Sequence, residues 1–368
     1  MAQQRFLSVD FLRGATVAFM IVANNPGDAA FVYSALVHAR WHGWTAVDCI
    51  FPMFLFLVGV SVALASGGAS ANRLGLWEKA WKRAAILFGL GLFVNGFPYF
   101  HLETLRIPGV LQRIAVVYLA VLWLYRRLDW RVVAALIIAI LVGYWLLWAC
   151  VPVPGLGFPT LDYEYNLESW LDQMFMRGHL WEYDTSWDPE GILSTFPCIA
   201  LGLLGALAGR RLKQEPQGQQ GRLAAVLAAW GAALVLAGLA WDRWFPINKS
   251  ITTSSFVLFT GGIGVLLLAA LHRIMDRDRA ASWMQPFLAL GKNALFLYVV
   301  SELLTKALYI ARPSFLTGGR SLHFWLFDAL FGGVANRYVA SFAWSVSLTA
   351  VLTVVAMLMD RRGISVRL

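Results

Sequence analysis

The sequence predicts an all-α fold, a polytopic transmembrane helix bundle of about 10–11 spans, and three observations lead there. Of 368 residues, 59% are hydrophobic and only 14% charged, with a mean hydropathy of +0.63; a soluble domain of ordinary usage is far less apolar. The apolar residues gather into runs of the length a helix needs to cross roughly 30 Å of hydrocarbon, about 20 residues each. The 17 Trp and 24 Phe suit aromatic belts at the two membrane interfaces, where a ring is apolar on one side and wet on the other.

In chain order the first run, Val9–Asn24, has the length of a leader's apolar core, but Asp10 and Arg13 interrupt it, so it reads as a span and not as a cleaved signal. It stops at Asn24-Asn25-Pro26-Gly27. The second, Ala46–Ser66, opens with Asp48, where a carboxylate meets free N–H groups and the positive end of the helix dipole. Ala80–Phe97 follows a basic stretch, and Pro108–Tyr125 carries Pro in a first-turn position. Val132–Cys150 and Gly191–Gly209 flank a long loop at about 151–190. Leu223–Trp241 follows a Gln- and Gly-rich linker within about 210–222. Thr253–Leu271, Phe287–Leu304 and Tyr338–Met359 complete the set, while a stretch around His323–Val334 is too short to span and reads as interfacial or re-entrant. No internal repeat divides the chain, so residues 1–368 read as one integral-membrane domain.

Loop charge orients the bundle. Lys79, Lys82, Arg83, Arg126, Arg127, Arg131, Arg210, Arg211, Lys213 and Arg222 fall on one side, as cytoplasmic loops do, and both termini join them there. The net charge of +9 is therefore accounted for by topology, and the partner it implies is the lipid bilayer and not a nucleic acid. Cys49, Cys150 and Cys198 are odd in number and lie in or beside apolar runs, so they read as packing residues and not as a disulfide framework. No metal site is expected.

On the opposite, extracytoplasmic side lie His38, the 151–190 loop, the Pro246-Ile247-Asn248-Lys249 turn and the Lys306–Arg337 connection. Ionisable groups near hydrocarbon are usually paired, face a wet cavity or serve a substrate or proton path. Asp10 and Arg13, three residues apart, share a helix face and can pair structurally or meet a ligand. Asn24 can cap its helix or polarise a carbonyl. His38, Trp41, His42 and Asp48 form the densest cluster: Asp48 either caps the second helix or orients an imidazole, as carboxylates do in hydrolases. Arg113 needs a carboxylate or phosphate partner. Asp188, Glu190, Asn248, Lys249, Lys292 and Asn293 lie near helix starts, where capping and anion binding share one geometry.

Ser8-Val9-Asp10-Phe11-Leu12-Arg13-Gly14, Asn24-Asn25-Pro26-Gly27, the His38–Asp48 stretch with Phe51-Pro52, Gly109-Val110-Leu111-Gln112-Arg113, Asp188-Pro189-Glu190-Gly191, Pro246-Ile247-Asn248-Lys249 and Gly291-Lys292-Asn293-Ala294 occur in an order that resembles the heparan-alpha-glucosaminide N-acetyltransferase family. The compact chain is most similar to its bacterial members, often called the NagX group. The resemblance implies transfer of acetyl from cytosolic acetyl-CoA, a co-substrate, to the amine of a glucosamine-type sugar across a bacterial inner membrane, and it allows a homodimer. It maps the family's functional histidine to His38 and its active-site asparagine to Asn24, and it departs at His42, where the family pattern often has Asn.

On that reading His38 is the base or an acetyl relay, since imidazole titrates near neutral pH. Asn24 donates to the thioester oxygen as charge develops, and Asp48 holds the imidazolium. Because coenzyme A is too polar to cross lipid, Arg13, Arg113, Lys292 and Asn293 are the expected donor contacts. Trp41, His42, Asp188, Glu190, Asn248 and Lys249 are expected at the acceptor. The alternative is an amino-sugar transporter, which would use the same polar groups together with helix breaks.

Overall fold

The computed structural model describes residues 6–66, 73–181, 186–215, 220–276 and 281–366. Parts of the expected 151–190 loop (182–185) and of the 210–222 linker (216–219) lie outside the described residues. The helices are α1 (Leu7–Asn24), α2 (Ile50–Ala65), α3 (Arg73–Gly96), α4 (Val110–Arg127), α5 (Trp130–Cys150), α6 (Leu167–Met176), α7 (Thr195–Lys213), α8 (Gln220–Trp241), α9 (Ser254–Met275), α10 (Gln285–Lys292), α11 (Ala294–Ile310), α12 (Ser314–Thr317), α13 (Leu322–Phe331) and α14 (Arg337–Arg361). Among the described residues no strand occurs beyond isolated bridges.

Each of the ten expected spans has a helix, but they are not alike. Among the described residues seven helices, α1, α2, α5, α7, α8, α9 and α14, are long and apolar enough to cross a membrane. The stretch expected as one span at Phe287–Leu304 is instead a pair, α10 and α11, bent by 76° at Asn293. Helices α3 and α4 reach 24 and 18 residues, enough for about 36 and 27 Å of rise, yet Glu78, Lys79, Lys82 and Arg83 in one and Arg113, Arg126 and Arg127 in the other dilute their apolar character. The short stretch near His323 forms α13, ten residues long.

Burial separates a centre from a periphery: 67% of the apolar window is buried in α2, α7 and α9, against 22–28% in α5, α8 and α14. Glycines let the central backbones meet, because a Cβ on Gly59 would lie 1.8 Å from the Gly202 carbonyl and one on Gly205 2.0 Å from that of Phe56. The same device brings α10 onto α1, where a Cβ on Gly291 would lie 2.1 Å from the Asp10 carbonyl.

The connections segregate to two ends. At one, Trp41 Nε1 donates to the Leu161 carbonyl at 2.9 Å, Gly43 pairs in parallel with Asn248, and Gly27 N donates to the Ser341 carbonyl. At the other, Ser8 donates to Asp276, His272 lies between Asp276 and Glu215, and Lys292 pairs with Asp360.

Candidate active site

Asp48 sits in a 3₁₀ turn, Ala46–Cys49, that leads into α2, and its carboxylate is wholly buried. The capping and imidazole readings divide between its two oxygens. Oδ2 accepts the backbone N–H groups of Thr45 at 2.9 Å and Ala39 at 3.1 Å, with Thr45 returning its side chain to complete a capping box. Oδ1 accepts His38 Nδ1 at 2.6 Å. A carboxylate on Nδ1 fixes the tautomer, so Nε2 carries the lone pair, and the ring is 51% exposed.

The turn after α8 closes on this pair. Gly43 N donates to the Ile247 carbonyl at 2.7 Å. Asn248, fully buried, holds the turn by accepting Ile251 N on Oδ1, and its Nδ2 lies 3.3 Å from His42 Nδ1. Thr252 is in the left-handed region at φ +46, costly for a β-branched residue, and is held there by its N–H on the Lys249 carbonyl. The turn thereby places Lys249 Nζ 3.0 Å from His38 Nδ1, 3.3 Å from Nε2 and 3.7 Å from Asp48 Oδ1. Burial lowers the affinity of that ammonium for its proton, opposed by Asp48 and Glu190.

Beside this open group lies a closed one. Arg106 grips Asp188 with Nε and Nη2 at 2.8 and 2.6 Å and reaches Glu190 at 2.6 Å, the bidentate fork that suits guanidinium. Burial opposes the Arg106 charge, yet these two carboxylates raise its proton affinity above the usual; burial pushes Glu190 up, but Arg106, Arg113 and Lys249 together hold it below the ordinary range. Arg113, 3% exposed, donates to the carbonyls of Pro189 and Gly191 at 3.1 and 2.6 Å and to Ser194 Oγ at 2.7 Å. Glu168, from α6, accepts Ser194 Oγ at 2.5 Å, while Asp172 accepts the N–H groups of Asp188 and Ile192. Burial and the neighbouring Asp172 push Glu168 up to about 8.

The expected contacts therefore separate. Arg113, expected at the inner mouth or along the donor path, lies at the His38 end with its guanidinium engaged by the Pro189 and Gly191 carbonyls and the Ser194 hydroxyl in place of the expected carboxylate or phosphate. Asp188, 0% exposed and held on both oxygens by Arg106, anchors the loop and does not face an acceptor. Trp41 and His42 do line an open cleft of about 570 Å³ with Arg40, Asp162, Tyr163 and Glu164, and burial lowers the basicity of His42. His38 borders another, of about 650 Å³, with Thr45, Tyr33 and Tyr338. Asn24 is joined to Glu302 of α11, Nδ2 to Oε1, at 3.1 Å. At the far end, Arg13 pairs with Asp10 at 3.2 Å and donates to Ser61 on α2, Lys292 pairs with Asp360, and Asn293 Oδ1 accepts Val366 N at 2.8 Å. The Asp10–Gly291 contact gathers these three around the start of α1.

Sequence reading passed over Glu302 and Glu168. Glu302 carried a usable signal, a lone acid inside the apolar run Phe287–Leu304; Glu168 in a loop rich in acids carried none.

The family described as heparan-alpha-glucosaminide N-acetyltransferase, catalytic, matches residues 5–239. The human heparan-alpha-glucosaminide N-acetyltransferase is 28% identical over 357 residues, covering 81% of this chain and 53% of that protein. The mouse protein of the same name is 26% identical over 358 residues, covering 82% and 54%. The chain spans about half the length of the curated relatives it matches.

Proposed function

Because the chain belongs to the heparan-alpha-glucosaminide N-acetyltransferase family, we propose that it moves acetyl from cytosolic acetyl-CoA to the amine of a glucosamine-type sugar on the far side of a bacterial inner membrane, with both termini cytoplasmic. One observation carries the assignment of the site: a half-exposed imidazole backed at 2.6 Å by a fully buried carboxylate. That arrangement leaves Nε2 free to take a proton while Asp48 stabilises the imidazolium.

In the direct reaction the sugar nitrogen forms a bond to the acetyl carbon, and His38 Nε2 takes the proton it sheds. The carbon–sulfur bond breaks, and the same proton passes to the departing thiolate to give coenzyme A thiol. Asn24, held by Glu302, is the donor to the carbonyl oxygen as it gains charge, a type of contact whose loss costs about 100-fold or more in rate. Arg13, Lys292 and Asn293 are the donor-binding groups, and Asn293 Nδ2 is a buried amide with no partner, which suits a ligand carbonyl or phosphate. Trp41 and His42 receive the acceptor, with an aromatic face to cover a sugar ring.

The test is coenzyme A release by purified protein given acetyl-CoA and glucosamine, with His38→Ala and Asn24→Ala beside the wild type. Both substitutions should slow transfer at least 100-fold; undiminished transfer in either removes that residue's role. A second reading, amino-sugar transport, draws on the 76° break at Asn293, and uptake of labelled sugar into vesicles without any acetyl donor would favour it.

A further inference from the structure

Lys249 stands against the reacting ring and not out in the acceptor cleft, and its geometry is specific. Its Nζ is nearly equidistant from the two ring nitrogens, 3.0 and 3.3 Å away. An in-plane position at those distances would drive the nitrogen into Cε1, which lies between them, so the ammonium must sit over the face of the ring. There it does not cover the in-plane lone pair of Nε2, which stays open at the ring's edge.

We propose that Lys249 is a positioning residue for His38: its ammonium, over the ring face and beside Asp48, opposes uptake of a second proton by the resting imidazole and fixes the ring with Nε2 presented to the substrates. The inference rests on His38 being the reacting base. Asp48 alone would favour the doubly protonated ring, because an opposite charge at hydrogen-bond distance stabilises the charged form. A cation at 3.0 Å works the other way, so the two neighbours act on the ring in opposite senses.

The charged groups that bear on the ring are Asp48 from the turn before α2 and Lys249 from the turn after α8. Behind Lys249 stand Glu190 and Arg106, which interact with it electrostatically. Asp48 holds Lys249 at 3.7 Å, and the strained Thr252 and the Gly43–Asn248 bridge fix the turn that carries it. Lys249 is only partly exposed, its side chain at 20%, so water screens its charge less than it would at an open surface.

The experiment measures acylation of individual histidines by diethyl pyrocarbonate across a pH series, resolved by peptide mass spectrometry, on the full chain in detergent without substrate. In Lys249→Met the pH midpoint at which His38 becomes reactive should rise by about one unit or more, since Asp48 is then unopposed; in Lys249→Arg, which keeps the charge, it should stay near the wild-type value. His179, whose Nδ1 is bonded to the Leu105 carbonyl, is the internal reference and should not move. If the methionine variant does not fold, Lys249→Gln gives the same reading. The acid limb of the kcat/KM profile should shift in the same direction. An unmoved His38 midpoint beside an unmoved His179 overturns the proposal, as does a rise in acceptor KM with no change in the pH profile. If the midpoint shifts as expected but no variant, wild type included, transfers acetyl, the coupling of Lys249 to His38 stands and the acetyltransferase reading fails.

Discussion

Two ionic groups lie side by side at one end of the bundle, and they differ in what they leave open. Around Arg106 and Arg113 the charged side chains are bonded to the 188–194 loop or to one another, and Asp188, Arg113 and Glu168 are all but removed from solvent, with Glu168 Oε2 and Arg113 Nε buried without a partner. Around Asp48 the carboxylate is equally buried, but the imidazole it holds is half in solvent with one nitrogen uncommitted. Both groups contain acids and bases at hydrogen-bond distance; only the second presents one of them to solvent, where a reactant can reach it.

The sharpest test of this contrast exchanges the two outcomes. His38→Ala should reduce acetyl transfer by about 10³-fold with little change in melting temperature, whereas Arg113→Ala should destabilise the fold by about 3 kcal/mol or more, because it leaves the Pro189 and Gly191 carbonyls and the Ser194 hydroxyl buried without their donor. Thermal unfolding in detergent and coenzyme A release, measured on the same samples, check both. Asp48→Asn lies between: loss of the orienting charge should lower activity by about 10²-fold or more, and weakening of the cap should cost about 1 kcal/mol. Glu302→Gln should have a smaller effect that falls on kcat more than on acceptor KM, since it acts through the Asn24 amide.

The mildest effect is one of pH. Glu168 has a folded value of about 8 against an ordinary 4.5, so the folded state favours its protonated form. Stability from this group is full below about 4.5 and is lost as pH rises through about 8. The melting temperature should therefore fall over that window, and Glu168→Gln should flatten the slope. A wild-type curve that rises from pH 5 to 8 while the glutamine variant stays flat would place the buried charge elsewhere in the network.

How far the sequence reached follows from what kind of signal each feature leaves. The spans were legible because the bilayer imposes a length and a composition on any helix that crosses it. Asn293 was legible as a polar residue in a run but not as a 76° break, since nothing in local propensity at Gly291-Lys292-Asn293 records the angle that α1 imposes through Gly14 and Gly291. His38 and Asp48 could be paired as a hypothesis because they lie in one loop. Lys249 could be placed near an acceptor but not over the ring, and Arg113 could be placed along a donor path but not against the 189–194 loop. In both cases the deciding contacts are long-range, with Lys249 reaching back 211 positions to His38 and Arg113 reaching 78 forward to Gly191. Helix-terminal polar residues look alike in sequence whether they cap, brace or bind.

The parallel bridge between Gly43 and Asn248 fixes an order of events during synthesis. A ribosome that has delivered α2 to the membrane has made the imidazole and its carboxylate but not the ammonium that faces them, and six further helices, α3 to α8, must emerge before the turn carrying Lys249 can dock. The nascent chain thus holds an incomplete constellation for more than half of its translation, and chains truncated before that turn carry the His–Asp pair without its third member.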